Sequence, residues 1–304
     1  MTETPTPRTE APDRPDTGSP VAGPIKHAYL MPMRWVRRTV LVLLGLLAGP
    51  VAVLVGGDVL GSDWRTASRE PANIAPDPLT TKEAVVHVYA ARTFTWRGAF
   101  GVHTWISVKP TAASTYTIYE VIGWRGYGGH SVLTVHNGIP DRYWFGRRPA
   151  LLAELRGDGV DDIIRRIDVA ARRYPYQQGY KAYPGPNSNT FTAWVARHAP
   201  ELRLDLPPTA IGKDYLGDSL VSEVPSGTGY QFNVKGLFGV LAAVEEGLEV
   251  NLVGLTFGID PLNLAIKLPG IGRLGLIRRS PNRIRLPHEP RNRLGSTAVA
   301  QHSN

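Results

Sequence analysis

The chain has 304 residues, a formal net charge of +8 and no cysteine. The lack of cysteine excludes disulfides, cysteine-ligated metal sites and a cysteine nucleophile. The positive charge is concentrated between residues 271 and 304, which hold seven arginines and one glutamate. The central part is close to neutral, so it lacks the basic face of a nucleic-acid-binding domain, and we predict no nucleic-acid partner.

Both ends of the chain have the composition of disordered segments. The predicted N-terminal tail covers residues 1–36, of which Met1–Lys26 is rich in proline, threonine and glutamate and almost lacks large apolar residues. Residues 276–304 are arginine-rich and similarly poor in apolar residues. Such segments bury too little surface to offset the entropy of ordering. We therefore predict a disordered tail at each end, the C-terminal one basic.

A membrane-spanning helix is predicted at residues 37–58. The uncharged run Thr39–Gly57 has 19 residues, which at about 1.5 Å rise per residue nearly crosses a hydrocarbon layer of about 30 Å. A retained single-pass anchor is the favoured interpretation, and a cleaved signal peptide is the alternative.

The charges around this run predict its orientation. Cations precede the run and acids follow it: Arg34, Arg37 and Arg38 on one side, Asp58 and Asp63 on the other. Positively charged flanks stay in the cytoplasm. We therefore expect a cytoplasmic N-terminus, contact with membrane lipid, and a soluble domain outside the cell membrane, in the envelope.

The soluble domain is predicted at residues 81–275, after a proline-containing linker at 59–80. Alternating apolar residues indicate early strands, and helical spacing indicates later helices. Strands followed by helices favour an α+β domain with an antiparallel sheet and packed helices. The predicted strands are Ala84–Ala90, Gly101–Val108, Thr115–Ile122 and Val132–Val135; the predicted helices are Arg148–Leu155, Val160–Tyr174 and Thr190–His198; short strands covering the core are expected in Leu248–Leu268.

Three residues have the chemistry of a catalytic triad. Ser188 stands at a predicted helix start, where free N–H groups stabilise negative charge, and could act as a nucleophile. His103, on a strand, could be its base, and Glu120, on the neighbouring strand, could orient the imidazole. Two structural alternatives remain open: Ser188 as an ordinary helix cap, and His103 as a buried hydrogen-bonded histidine.

Polar and aromatic residues near these three are the candidate substrate-binding residues. Aromatic side chains in this region could line a cleft that stacks sugars or acyl chains, or simply pack the core. The histidines and acids show no metal-ligand spacing, and the glycines lack a phosphate-loop context, so we expect no metal and no cofactor. The candidates are Asn187, Asn189, Trp105, Trp124 and Tyr183.

Two short motifs resemble the circularly permuted papain-like hydrolases, which include NlpC-type and PPPDE-type peptidases. These motifs are His103-Thr104-Trp105-Ile106 and Asn187-Ser188-Asn189-Thr190-Phe191. Over Glu83–Gly275, with the runs GWRGYGG, DRYWFG, YPGPNSNTF and LPPTAIGKDYL, the chain is similar to the bacterial family called domain of unknown function 3750. The first resemblance implies a papain-like fold.

The same resemblance places Ser188 where those hydrolases have their nucleophilic cysteine. A serine hydroxyl has a far higher pKa than a thiol, so a thiolate–imidazolium pair cannot form. Three functions follow as expectations: an inactive papain-like scaffold binding a cell-wall peptide, glycan or lipid; an active serine amidase, peptidase or esterase; and a structural partner of envelope membrane proteins that uses the apolar stretch Leu237–Leu268. The sequence leaves the oligomeric state open.

Overall fold

The computed structural model of the chain describes residues 30–56, 63, 65–276 and 282–286. Most of the N-terminal tail predicted to be disordered, and most of the basic C-terminal tail, lie outside the described residues. The chain divides into two units, residues 1–44 and 45–304. Helix α1, Leu30–Gly56, begins in the first unit and ends in the second.

Helix α1 fits the predicted membrane span by length and composition. Its stretch Met33–Gly56, 24 residues long, is the one helical segment of the described residues that is long and apolar enough to cross a membrane. The helix begins earlier than predicted, because residues 30–36, expected to belong to the disordered tail, continue the helix. Its orientation in a membrane stays a prediction.

The second unit is an α+β domain with two largely antiparallel sheets. After α1, the described elements are β1 (Val85–Arg92), β2 (Val102–Lys109), β3 (Thr117–Val121), β4 (Leu133–Asn137), β5 (Ala150–Gly157), α2 (Val160–Arg172), α3 (Ser188–Arg197), β6 (Val221–Glu223), β7 (Gly229–Val234), β8 (Phe238–Ala243), β9 (Gly247–Leu252), β10 (Leu255–Asp260), β11 (Ala265–Leu268), β12 (Gly272–Gly275) and β13 (Asn282–Leu286).

The first sheet has the strand order β13-β5-β1-β2-β3-β4. The four early strands and the two later helices agree with the prediction. The segment Arg148–Leu155 is not a helix, because Ala150–Gly157 forms β5, whose register runs antiparallel to β1. The tail predicted to be disordered contributes β13, which pairs parallel with β5.

Each face of the first sheet has its own core, because successive side chains of a strand point to opposite faces. On one face, Ile106 of β2 packs with Ile163 of α2 and Phe191 of α3. On the other face, Trp105 packs with Tyr89 and Trp144, without a helix. We call these the helix face and the aromatic face.

The second sheet is a seven-stranded antiparallel meander from β6 to β12. Each strand pairs with its neighbour in sequence through a short connection. The strands expected in Leu248–Leu268 are present as β9, β10 and β11. They belong to a sheet of their own that starts at Val221, which the sequence did not predict.

Candidate ligand-binding cleft

The predicted pairing of His103 with Glu120 is present on the aromatic face. His103 Nε2 lies 3.1 Å from Glu120 Oε2, and both side chains are buried. The imidazole stacks on the indole of Trp144, with ring centroids 3.8 Å apart and planes 13° apart. Burial lowers the pKa of His103, against the opposing effect of the Glu120 hydrogen bond, so the imidazole is held neutral.

Arg142 completes this buried polar group. Its Nη2 donates to Glu120 Oε1 at 2.7 Å and to Oε2 at 2.8 Å. Burial alone would raise the pKa of Glu120, but the His103 hydrogen bond and the Arg142 charge together lower it to about 2. The carboxylate is therefore ionised, and Arg142 neutralises it.

Ser188 lies on the helix face. It is the first residue of α3, and its carbonyl oxygen accepts a hydrogen bond from Thr104 Oγ1 at 3.3 Å. Thr104 Oγ1 also lies 2.9 Å from Thr192 Oγ1, in the same helix. Because His103 and Thr104 are adjacent in β2, their side chains point to opposite faces of the sheet.

The structure therefore does not form the expected pair of Ser188 and His103. Strand parity turns Thr104, rather than His103, toward α3, and no hydrogen bond among the described residues joins the two. Glu120 consequently orients an imidazole that faces the aromatic core instead of a serine hydroxyl. The expected contact between Glu120 and His103 is present, Ser188 meets β2 through Thr104, and the catalytic roles of the three residues stay a prediction.

Asn187 and Asn189, two predicted substrate-binding residues, are buried and bonded to backbone. Asn187 caps α3: its Oδ1 accepts from the backbone N–H groups of Asn189 and Thr190, and the Thr190 hydroxyl accepts from the Asn187 N–H in a capping box. The side-chain amides of both asparagines donate to the carbonyl of Ile211. These bonds join the α3 start to the loop before β6 and leave the asparagines no exposed face for a substrate.

Trp105 and Tyr183 do not line the cleft on the aromatic face either. Trp105 is fully buried, and its indole N–H donates to the carbonyl of Pro140 at 2.8 Å. Tyr183 is half-exposed, but its hydroxyl donates to the carbonyl of Val253, next to the second sheet. Of the five predicted binding residues, Trp124 alone lines the cleft on the aromatic face.

This cleft has a volume of about 590 Å³. It opens over the edge of the first sheet, between the 3-10 helix Gly123–Gly128 and the loop that joins β4 to β5. Its lining residues are Arg69, Glu120, Ile122, Trp124, Arg125, Leu133, Thr134, Val135, His136, Arg142, Tyr143, Trp144 and Phe145.

Stacked rings form one wall of the cleft. Trp124, half-exposed, lies 6.1 Å from Trp144 with the ring planes 25° apart. Trp144 in turn covers His103, which stacks on the buried Trp105 at 5.7 Å. The exposed Trp124 ring therefore rests on a rigid ladder that reaches into the core, and it presents a flat apolar surface to a ligand.

The cleft also carries unneutralised positive charge. The Arg69 guanidinium lies 4.5 Å from the centroid of Phe145, and Arg125 Nε donates to the carbonyl of Ser131. Neither arginine forms an ion pair with a described residue, whereas the single acid of the lining, Glu120, is already paired with Arg142. The open cleft thus attracts an anionic group.

Sequence reasoning missed the arginines of this cleft. Arg125 and Arg142 belong to GWRGYGG and DRYWFG, two runs that each contain a tryptophan within two residues of an arginine. That shared composition was the available signal, since both runs converge on one cleft. Among the described residues, no group of three or more histidines and acids could hold a metal ion.

Fold and cleft together define an α+β domain with an open cleft that is lined by aromatic and cationic side chains. Residues 83–215 match the model of the family described as Protein of unknown function (DUF3750). The matched segment includes the first sheet from β1 to β5, both helices and both runs that line the cleft. Comparison with curated proteins and comparison with solved structures each found no match.

Proposed function

We propose that this chain is a membrane-anchored envelope protein that binds an anionic glycan in the cleft and does not hydrolyse it. One observation carries the proposal: the cleft combines the exposed ring of Trp124 with Arg69 and Arg125, which no described acid neutralises. Aromatic rings stack on the apolar faces of sugars, and arginines pair with carboxylates. A glycan that bears a carboxylate offers both groups.

The anchoring part of the proposal rests on α1 and its flanking charges. The apolar segment Met33–Gly56 is long enough to span a bilayer. Arginines precede its apolar run and aspartates follow it, which favours export of the domain. An exported, tethered domain meets the glycans of the envelope.

The placement of the candidate triad supports the part of the proposal that excludes hydrolysis. Thr104, rather than His103, contacts the start of α3, and the His103 imidazole stacks on Trp144. A serine without a general base within reach is not activated. A papain-like ancestry remains part of the proposal, supported by the contact of α3 with β2 through Thr104 and Asn189, the two motifs that carry the resemblance.

A matched pair of disaccharides tests the proposal on the full chain in detergent. N-acetylglucosaminyl-N-acetylmuramic acid carries a lactyl carboxylate, and the matched N,N′-diacetylchitobiose, called chitobiose below, does not. We expect the acidic sugar to quench tryptophan fluorescence saturably, with a Kd raised about five-fold by Trp124→Ala, since a stacking contact contributes about 1 kcal/mol. Tyr127→Ala is the control, because Tyr127 is exposed beside the cleft without lining it.

Two results would contradict the proposal. Equal quenching by both sugars would remove the role of the cationic side of the cleft. Release of shorter sugar fragments from the acidic ligand by the wild-type chain would show that the site is catalytic after all.

A further inference from the structure

The second sheet has its polar face inward and its apolar face outward. On the inner face, Glu249 and Lys267 are almost completely buried. Lys267 Nζ donates to Glu249 Oε1 at 2.6 Å and to Asp205 Oδ1 at 2.8 Å, and Lys213 also pairs with Glu249. These buried ion pairs fix the register, because a one-residue slip would expose the whole network and break it.

The outer face is apolar across the sheet from β7 to β12, and Glu223 in the edge strand β6 is the exception. Cross-strand pairing aligns the central row, and a second row runs beside it. The central row contains Phe232, Val240, Val250, Phe257 and Leu268; the second contains Tyr230, Ala242, Leu248, Ile259, Ile266 and Leu274.

Antiparallel sheets usually pack the apolar face on the core and leave the polar face in water. Here Phe232, Val240 and Val250 are each more than two-fifths exposed. A continuous apolar face of this extent marks a surface that something apolar covers.

The rim of this face indicates lipid rather than protein as its cover. Interfaces between proteins have a polar rim around an apolar centre. In this sheet the rim next to β10 and β12 carries exposed leucines: Leu262 and Leu264, between β10 and β11, and Leu276, after β12, are among the most exposed large apolar residues of the domain. The charged residues Lys235 and Glu245 lie in other connections of the sheet. A hydrocarbon layer accepts leucines exposed at the edge of an apolar face.

A contact within the second unit brings the sheet to the apolar helix. Gly270, in the turn between β11 and β12, has φ +70, and a Cβ there would lie 2.5 Å from the backbone nitrogen of Pro50. Pro50 lies six residues before the end of α1 at Gly56, or about 9 Å along the helix axis. If α1 spans the bilayer, this turn reaches the depth of the lipid headgroups or below.

The charge of the sequence that follows the sheet agrees with the same cover. The chain leaves β12 at Gly275, and six arginines and one glutamate follow between residues 277 and 304. Basic segments beside a membrane bind anionic headgroups, at about 1 kcal/mol for each cation.

We infer that the outer apolar face of the second sheet lies on the anionic lipid bilayer to which the chain is anchored. The inference rests on the anchoring proposed above. Because α1 tethers the domain to the bilayer, the local concentration of lipid around the outer face is high, and no further partner is needed to cover that face.

The absence of native cysteine allows single labels that test the inference on the full chain. Val250→Cys and Phe232→Cys place an NBD fluorophore on the outer face, and Val169→Cys places it on α2. Val169 is a matched control, being 47% exposed against 44% for Val250. Each variant is reconstituted in vesicles of phosphatidylcholine and phosphatidylglycerol, some containing doxyl-labelled lipid.

The expected result is strong quenching of the labels at 250 and 232 by doxyl lipid, with iodide quenching several-fold weaker than at 169. Equal iodide quenching at all three positions would overturn the inference. A second result would also overturn it: protection of the label at 250 from iodide that increases with the protein-to-lipid ratio, without quenching by doxyl lipid. That pattern identifies a second copy of the chain as the cover.

Failure of the anchor is scored separately, by alkaline carbonate extraction of the same vesicles. Resistance to extraction without doxyl quenching would support the membrane anchor and contradict the contact between the outer face and lipid. A chain that is extracted but shows doxyl quenching beforehand keeps the docked face and loses the anchor. Extraction without doxyl quenching overturns both.

Discussion

The Glu120 carboxylate is held between two partners on the aromatic face: Arg142 Nη2 at 2.7 Å from Oε1 and His103 Nε2 at 3.1 Å from Oε2. A histidine and an acid with the chemistry of a catalytic pair thus support a cleft wall: Glu120 lines the cleft, and His103 lies buried against Trp144. Glu120 holds Arg142 in place, and Arg142 lies 5.5 Å from the ring centroid of Trp144.

Removing Arg142 is predicted to destabilise the domain strongly. Arg142→Ala leaves the buried Glu120 carboxylate without its cation, at a cost of about 3 kcal/mol. Urea unfolding of the full chain in detergent, followed by circular dichroism, measures the loss. Arg165→Ala is the control, since Arg165 forms an exposed pair on α2. Equal midpoints for the two variants would contradict the buried-pair account.

Acid is predicted to weaken the fold through Glu120. Its pKa is lowered from 4.5 to about 2 in the folded chain, so its contribution is complete above pH 4.5 and is lost as the pH falls toward 2. The shift corresponds to about 3 kcal/mol. Burial also lowers the pKa of His103 and of His87, so loss of stability begins below their ordinary value of 6.5.

The Glu120→Gln variant isolates the carboxylate in this pH dependence. Unfolding free energies of wild type and variant are compared in urea across the acid range. The difference between them should shrink as the pH falls below 4.5, because the protonated wild-type side chain then resembles the amide. A difference that is constant with pH would show that Glu120 is not held ionised.

The start of α3 is predicted to be structural. Asn187→Ala removes the cap and two side-chain bonds to carbonyls, at a cost of about 2 kcal/mol. Ser188→Ala should cost much less, and neither wild type nor variant should react with a fluorophosphonate probe. If the probe labels the wild type and Ser188→Ala abolishes the labelling, the result would support the serine hydrolase hypothesis instead.

The second sheet depends on its buried charges. Lys267→Met leaves Asp205 and Glu249 without one of their cations and is predicted to cost about 3 kcal/mol. Lys235→Met, which breaks an exposed pair with Asp218, serves as the control and should not shift the unfolding midpoint measurably. If both variants unfold at the wild-type midpoint, the inner polar face does not hold the sheet.

The sequence predicted the first four strands and both later helices because their apolar residues follow clear periods of two or 3.6. It failed at β5, whose residues ALLAELRG are strong helix formers. Pairing with β1 on one side and β13 on the other overrides that local preference. Part of the second sheet was predicted as short strands that cover the core. An alternating pattern of apolar and polar residues shows that a strand has two different faces, but not which face is buried.

The candidate site was predicted in part for a related reason. Neighbouring strands placed His103 beside Glu120, and the structure has that contact. The pairing with Ser188 failed because it depends on which face of β2 receives α3. Because side chains alternate along a strand, either His103 or Thr104 can face α3, but not both. A single sequence does not show which of the two does. The arginines of the cleft were missed because they stand in loops without periodicity.

The measurement that bears most directly on the central claim is the preference of the cleft for a carboxylated sugar. Isothermal titration compares N-acetylglucosaminyl-N-acetylmuramic acid with chitobiose on wild type, Arg125→Glu and the surface control Arg165→Glu. The account predicts a preference for the acidic sugar that Arg125→Glu abolishes and Arg165→Glu retains. The same preference in all three proteins, or none in the wild type, would contradict it.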